Sequence, residues 1–489
     1  MLQGTSSDAG KSLLTAALCR IYADRGLRVF PFKSQNMALN SFICPDGAEI
    51  GKAQALQAAA ARRDPEMRMN PVLLKPESNS GCQVVYKGSV YRRSTAADYF
   101  SMKNELWSGI CGILDEIRSE NDLIIIEGAG SPAEINLREN DIVNMAVARY
   151  LKAPVLIAAD IDLGGVFAFL YGTLELLKPE EKDLVKGFII NKFRGDISLL
   201  DPGLKMLSEL TGGRRVLGVV PYIKDLLLAQ EDSVFLDKNT VFGTDGLDTA
   251  VIRLPHISNY DDFDALLLED GLKLRFVSSA AELGNPDWII IPGTKTTIED
   301  LYWLRQSGLA AKIGALAEAG RAVTGICGGY QILGKVLSDG EGLEGVTADV
   351  EGLGLLPLET VWESSKVKRS CRARTMKAPG LWSDAPPMTV SGYQIHMGRS
   401  RITGDAAPLL DGGDFKDGAV SESGLIWGTY MHGIFDTPEF RRFWLEKIGW
   451  KAAGRAVSLE QKRDQELDRL ADTVRESMDM RKLDEIIGL

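Results

Sequence analysis

The chain has 489 residues, with 56 Lys and Arg against 67 Asp and Glu for a formal net charge of −11, and 45% hydrophobic and 25% charged residues. That is globular composition with room for two or three domains, and the acidic balance argues against nucleic acid as the main partner, since phosphate-backbone affinity rests on Lys and Arg. The six cysteines are scattered with no Cys-x-x-Cys pair, against a disulfide framework or zinc site, and the lack of a leader pattern or of an apolar run of about 18 residues predicts a cytoplasmic protein with no membrane partner.

The chain opens with Gly4-Thr5-Ser6-Ser7-Asp8-Ala9-Gly10-Lys11-Ser12, ahead of an apolar-periodic helix. This is a phosphate loop: small residues let backbone N–H groups close on phosphate oxygens, Lys11 reaches the β and γ phosphates, and Ser12 supplies a magnesium ligand. Thr5, Asp8, Gly10, Lys11 and Ser12 are therefore the expected ATP site. The loop carries one residue more than the usual spacing and resembles that of dethiobiotin synthetase and its relatives. The strand before it, Met1-Leu2-Gln3, looks too short for a buried parallel strand of about five residues.

A short strand over residues 29–32 leads into Lys33-Ser34-Gln35-Asn36-Met37-Ala38-Leu39-Asn40. Ligands of open α/β sheets collect at such carboxyl ends, so Lys33, Asn36 and Asn40 are read as a substrate-binding loop. An Ala/Gln-rich helix is expected over residues 49–63, then another apolar run ending in Lys75. Residues 123–126 form a buried parallel strand with Glu127 at its tip, where a carboxylate is placed to hold magnesium with Ser12. Residues 155–162 repeat the strand-then-acid pattern. Residues 187–190 lead to Asn191 and Lys192, and Asn191 is expected to read a purine edge. Strands alternating with helices predict a doubly wound parallel sheet over residues 1–235, followed by a polar linker at 236–248.

A second α/β series runs over residues 249–450. Its most informative stretch is Gly325-Ile326-Cys327-Gly328-Gly329 between an apolar strand and a helix. This is a nucleophile elbow with Cys in place of Ser. The turn lifts the thiol clear of the sheet at a helix N-terminus, which favours thiolate. N–H groups from Gly293 or Thr294 and from Gly328 are expected to form an oxyanion hole. Only three His are available as base; chain order ranks His432 first and His396 second, with His256 after the first strand of this half. The charged stretch 451–489 reads as one or two amphipathic surface helices.

Together the motifs GTSSDAGKS, KSQNMALNS, NPVLLKP, EGAGSPAEINL, DIDLGGVFAF, NKFRGD, LPHISNYDDFD, PGTKTT, GICGGYQILG, SGYQIHMGRS and GTYMHGIF resemble the cobyric acid synthase family, glutamine-dependent ligases of cobalamin biosynthesis. KSQNMALNS and NPVLLKP separate this family from the related a,c-diamide synthases. The resemblance implies a class I glutamine amidotransferase domain in which Cys327 attacks glutamine and His432 is the base. It also implies an N-terminal domain that uses ATP and Mg2+ to amidate the b, d, e and g carboxylates of adenosylcobyrinic acid a,c-diamide. Class I amidotransferases generally carry Glu two residues after the His; here Ile434 stands there, as the family branch also lacks it. Leu163 replaces an Arg usual in the family. A nucleotide-dependent switch of the MinD type is the contrasting reading; it has no use for the Cys327 elbow.

Overall fold

This computed structural model describes every residue except 77–80, 225, 227, 229–240, 244, 345–348 and 453, and the side chains of 96–98, 100 and 101. The chain forms two compact units. The first comprises Met1–Ala38, Cys44–Glu231 and Arg463–Leu489; the second comprises Leu39–Ile43 and Asp232–Lys462. The expected boundary at 235 and the first part of the expected 236–248 linker lie outside the described residues.

In the first unit four parallel strands lie in the order Leu2–Gly4, Val155–Asp160, Val185–Phe193, Arg215–Pro221. A parallel pair, Val29–Phe32 with Leu123–Ile126, joins them through a bridge between Leu2 and Glu127. Alternation along the strands feeds two apolar layers. Leu156, Ala158, Ile189 and Leu217 pack with helix Lys11–Asp24, while Val155, Ile157, Phe188 and Ile190 pack with helices Val166–Glu175 and Asp201–Leu210. A sheet covered on both faces has no polar side, which explains why these strands read as continuous apolar runs. The short first strand is tolerable because it is interior: Leu2 and Gln3 are buried, and Thr5 continues the ladder by donating to the Ala158 carbonyl at 2.9 Å.

The charged C-terminal stretch forms helices Leu459–Ser477 and Met480–Ile487. From Arg463 onward it is built into the first unit. Leu467, Leu470, Ala471 and Val474 are buried in the same apolar layer as Leu14, Ala17 and Ile21. The buried Arg20 guanidinium meets Asp464 at 2.5 Å and Asp468 at 3.4 Å.

The second unit centres on parallel strands ordered Leu272–Val277, Leu247–Ile252, Trp288–Ile291, Ala322–Ile326, Ile426–Thr429, with Val241–Phe242 and Ala419–Val420 antiparallel at the two edges. The described latter part of the expected linker thus enters this sheet. A long antiparallel hairpin, Leu358–Thr375 with Thr389–Ile402, forms the centre of a second sheet. Pro292, Cys327 and Tyr430 each follow directly on the carboxyl end of a central strand, so the connections bearing Gly293, Cys327 and His432 share one sheet edge. Among the described residues no helix is long and apolar enough to cross a membrane.

Leu470 is 2% exposed. Leu470→Ala is expected to cost about 3 kcal/mol of stability, read as a lowered urea midpoint for the first unit. An unchanged midpoint would show that the terminal helices add no core.

Candidate active sites

In the second unit Cys327 has φ 51° and ψ −108°, a strained conformation for a residue with a Cβ. The glycines around it are dictated by space. A Cβ on Gly325 would lie 2.6 Å from the Gly329 carbonyl oxygen, and one on Gly329 would lie 1.9 Å from that of Ile291. The backbone of the following helix is thus pressed onto strand Trp288–Ile291, leaving the thiol at the sheet edge. Cys327 Sγ donates to the Ile395 carbonyl at 3.6 Å.

His432 is wholly buried and close enough to Cys327 for the two to interact electrostatically. Its Nδ1 is 2.7 Å from Asp262 Oδ2, and the other carboxylate oxygen of Asp262 accepts the Gly433 N–H at 2.9 Å. Burial pushes the imidazole toward neutrality, but the charges of Asp262 and Cys327 and their hydrogen bonds outweigh it and raise His432 to about 10. With Nδ1 committed to Asp262, Nε2 is the ring nitrogen that Asp262 does not hold. Asp262 thus places beside the imidazole a carboxylate of the kind that Ile434 cannot offer. It lies in Tyr260–Leu268, a 3-10 helix distant from His432 in sequence.

The other two histidines are engaged elsewhere. His256 Nδ1 is 2.8 Å from Asp300 Oδ1, a hydrogen bond that raises its proton affinity. The Thr294 hydroxyl also donates to Asp300, so this pair braces the loop after Ile291. His396 stacks on Tyr430 with ring centroids 3.7 Å apart and pairs Nδ1 with the Gly398 carbonyl; burial lowers it to about 3. The expected oxyanion residues do gather at the elbow. A Cβ on Gly293 would lie 3.0 Å from His432 Cε1, and one on Gly328 would lie 3.2 Å from the Thr294 nitrogen. A thiol, a base held by a carboxylate and glycine backbone can together perform acyl transfer from an amide.

In the first unit the phosphate loop closes on itself. Lys11 Nζ donates to the Ser6 and Ser7 carbonyls at 2.7 and 3.0 Å. Gly10 sits at φ 87°, and a Cβ there would strike the Asn191 amide at 2.1 Å. Asn191 donates to the Ala9 carbonyl at 3.0 Å and Lys192 to that of Asp8 at 2.9 Å, so the strand tip expected to read a base also braces the loop. Ser12 Oγ donates to Glu127 Oε1 at 2.8 Å, which brings the two expected metal ligands together. Lys33 and Gln57 also donate to Glu127, at 2.9 and 2.5 Å.

The expected substrate loop divides. Lys33 pairs with Glu127, and Asn36 donates to Gln54 Oε1 at 3.1 Å, both in the first unit. Asn40 belongs to the second unit, where its Oδ1 accepts the Asn259 N–H at 2.7 Å. Leu163 is 63% exposed, so Leu in place of Arg leaves the core untouched.

Residues 1–234 match the model of the CobQ/CobB/MinD/ParA nucleotide binding domain, and residues 248–440 that of the CobB/CobQ-like glutamine amidotransferase domain. A nucleotide-binding unit and a glutamine-splitting unit on one chain make a glutamine-hydrolysing ligase. Cobyric acid synthases from Dehalococcoides mccartyi and Sorangium cellulosum are each 49% identical to it over 100% of this chain and 98% of their own length, and that from Thermoanaerobacter sp. is 47% identical with the same coverage. The chain belongs to the cobyric acid synthase family.

Asp262→Asn keeps the shape but offers an N–H to Nδ1, forcing the proton onto Nε2. Glutaminase kcat is expected to fall by about 100- to 10,000-fold, measured as glutamate release; a fall of under threefold would remove Asp262 from the site. His396 carries a separate expectation. Its folded proton affinity is lowered, so below about pH 6.5 the unfolded chain binds a proton that the folded chain excludes until about pH 3. Its contribution to stability is therefore present above that window and lost as pH falls through it. His396→Phe, which retains a stacking ring, should flatten this part of the urea-midpoint profile; an unchanged slope would contradict it.

Proposed function

We propose that the chain performs cobyric acid synthesis: ATP- and glutamine-dependent amidation of the b, d, e and g carboxylates of adenosylcobyrinic acid a,c-diamide. The observation that carries this reading is the Cys327–His432–Asp262 arrangement on a chain that also holds the Ser12–Glu127 phosphate-loop pair.

Cys327 Sγ gives its proton to His432 Nε2 and attacks the side-chain carbonyl carbon of glutamine. Backbone N–H groups at Gly293 or Thr294 and Gly328 hold the oxyanion. His432 returns the proton to the leaving nitrogen, ammonia departs, and a glutamyl thioester remains, which water hydrolyses to glutamate. Asp262 holds the ring and balances the imidazolium throughout.

In the first unit a carboxylate of the corrinoid attacks the terminal phosphate of ATP, giving an acyl phosphate and ADP. Ammonia displaces phosphate and leaves the amide. This activation is needed because a bare carboxylate is a poor electrophile. Thr5, Asp8, Gly10 and Lys11 form the ATP cradle, and Asn191 serves as both loop brace and base contact. The donor set fits magnesium, a hydroxyl and a buried carboxylate with oxygens 2.8 Å apart that leave the remaining positions to phosphate and water. Ser12 and Glu127 would hold the ion, which supplies charge neutralisation to the phosphates. Of the expected substrate residues Lys33, beside Glu127, is best placed to meet an activated carboxylate, with Asn36 supporting the same strand end. We place the reaction in the cytoplasm.

Mass spectrometry of a cobyrinic a,c-diamide incubation with ATP, magnesium and glutamine tests the reading. Each amidation lowers the mass by about 1 Da, NH2 replacing OH, and four such steps are expected. Two steps from cobyrinic acid instead would identify an a,c-diamide synthase. Cys327→Ala is expected to abolish glutamine use while ammonia still supports amidation; Lys11→Ala is expected to spare glutaminase and stop amidation. Loss of both activities in either variant would refute separate chemistries.

A further inference from the structure

One group beside His432 has no part in the chemistry above. Asn259 is buried and held at φ 52°, ψ 43°, a left-handed conformation, immediately before the 3-10 helix that carries Asp262. Three hydrogen bonds fix it. Its N–H donates to Asn40 Oδ1 at 2.7 Å, its Oδ1 accepts the Ser41 N–H at 3.2 Å, and its Nδ2 lies 3.5 Å from His432 Nε2. Because the Ser41 N–H can only donate, the amide orientation is determined: oxygen toward Ser41, NH2 toward the imidazole. The segment supplying Asn40 and Ser41 is itself anchored. The Ser41 carbonyl accepts the Tyr393 hydroxyl at 3.3 Å, and Ile43 packs with Tyr393 and Ile395. Tyr393 stacks on His432 with centroids 5.1 Å apart.

We propose that Asn259 is a positioning residue that holds the glutaminase in check: its amide N–H, aimed by Asn40 and Ser41, competes with the Cys327 thiol for His432 Nε2 and disfavours the imidazolium–thiolate pair. The inference rests on Cys327 and His432 being the glutaminase pair. Once Nε2 carries a proton, the Asn259 NH2 faces another donor, and the amide can present its oxygen only by giving up the Ser41 N–H. The titratable groups facing the imidazole are Asp262 and Cys327, with the Tyr393 phenol stacked on it and His396 farther off. Asp262 and Cys327 pull toward the charged pair; Asn259 pulls the other way. The residues that hold Asn259 come from Leu39–Ile43, whose chain neighbours on both sides belong to the nucleotide-binding unit.

The test is the pH dependence of Cys327 alkylation by iodoacetamide in the full-length protein, followed by mass spectrometry of the peptide containing Cys327. Asn259→Gly keeps the left-handed backbone and removes the amide. Its alkylation midpoint is expected to move about one pH unit lower, a roughly tenfold faster reaction on the rising limb. Asn40→Ala, which frees the Asn259 N–H, is expected to move it in the same direction by less. A profile for Asn259→Gly that superimposes on wild type, or moves to higher pH, overturns the proposal. If Asn259→Gly fails to fold, Asn40→Ala decides by the same criterion. Failure of wild-type Cys327 to react at any pH would instead count against the glutaminase pair itself.

Discussion

A cysteine in the left-handed region is costly, about 1–3 kcal/mol, and persists only if its surroundings leave no alternative. At Cys327 two contacts provide that constraint: the Gly329 backbone against Ile291, and Gly325 against the start of the following helix. Both approaches occupy the volume of a methyl group. Relaxing φ at Cys327 would require the helix to lift off strand Trp288–Ile291, whose four residues are all fully buried. The core of the second unit thus maintains the strain, and the strain leaves the thiol at the sheet edge. In the proposed chemistry the base, the carboxylate and the glycine backbone all depend on the sulfur being delivered to their edge of the sheet.

The two chemistries share one architectural rule and apply it differently. Each unit places its reactive groups where central parallel strands end, because there backbone and side chains emerge from a closed apolar interior. In the first unit that edge gathers charge: Lys33, Gln57 and Ser12 all donate to the buried carboxylate of Glu127. In the second it gathers a thiol and a ring whose charge depends on its neighbours. A buried carboxylate serves both, satisfied by several donors in one case and by an imidazole and a single backbone N–H in the other.

Much of this was legible in the sequence where chemistry demands a local pattern. The phosphate loop, Glu127 at a strand tip and the Cys327 elbow depend on neighbours within a few residues, so spacing reveals them. His432 was ranked first by chain order alone, because no local spacing marks a base that comes from another strand. Asp262 was invisible for a physical reason: Asp261, Asp262 and Asp264 stand together, and only the fold selects the one reaching a histidine 170 residues away. The run from Lys33 to Asn40 shows adjacency in sequence parting from adjacency in space. Polar residues close in sequence looked like one binding surface, yet Lys33 turns to Glu127, Asn36 to Gln54 and Asn40 to the Asn259 backbone. The terminal helices read as solvated because charge dominates their composition, while a narrow stripe of Leu467, Leu470, Ala471 and Val474 is enough to bury one face.

The path of the chain has a consequence for how such a protein can be taken apart. It leaves the first unit at Ala38, returns at Cys44, departs again after Glu231 and comes back at Arg463. A gene cut once between the halves would yield two mismatched fragments. The leading one would lack the helices that complete its apolar layer, and the trailing one would lack the segment whose Asn40 and Ser41 brace Asn259 and would retain those helices with nothing of their own to cover. Putting the two activities on separate chains would therefore need more than one cut, because the backbone crosses between the units repeatedly.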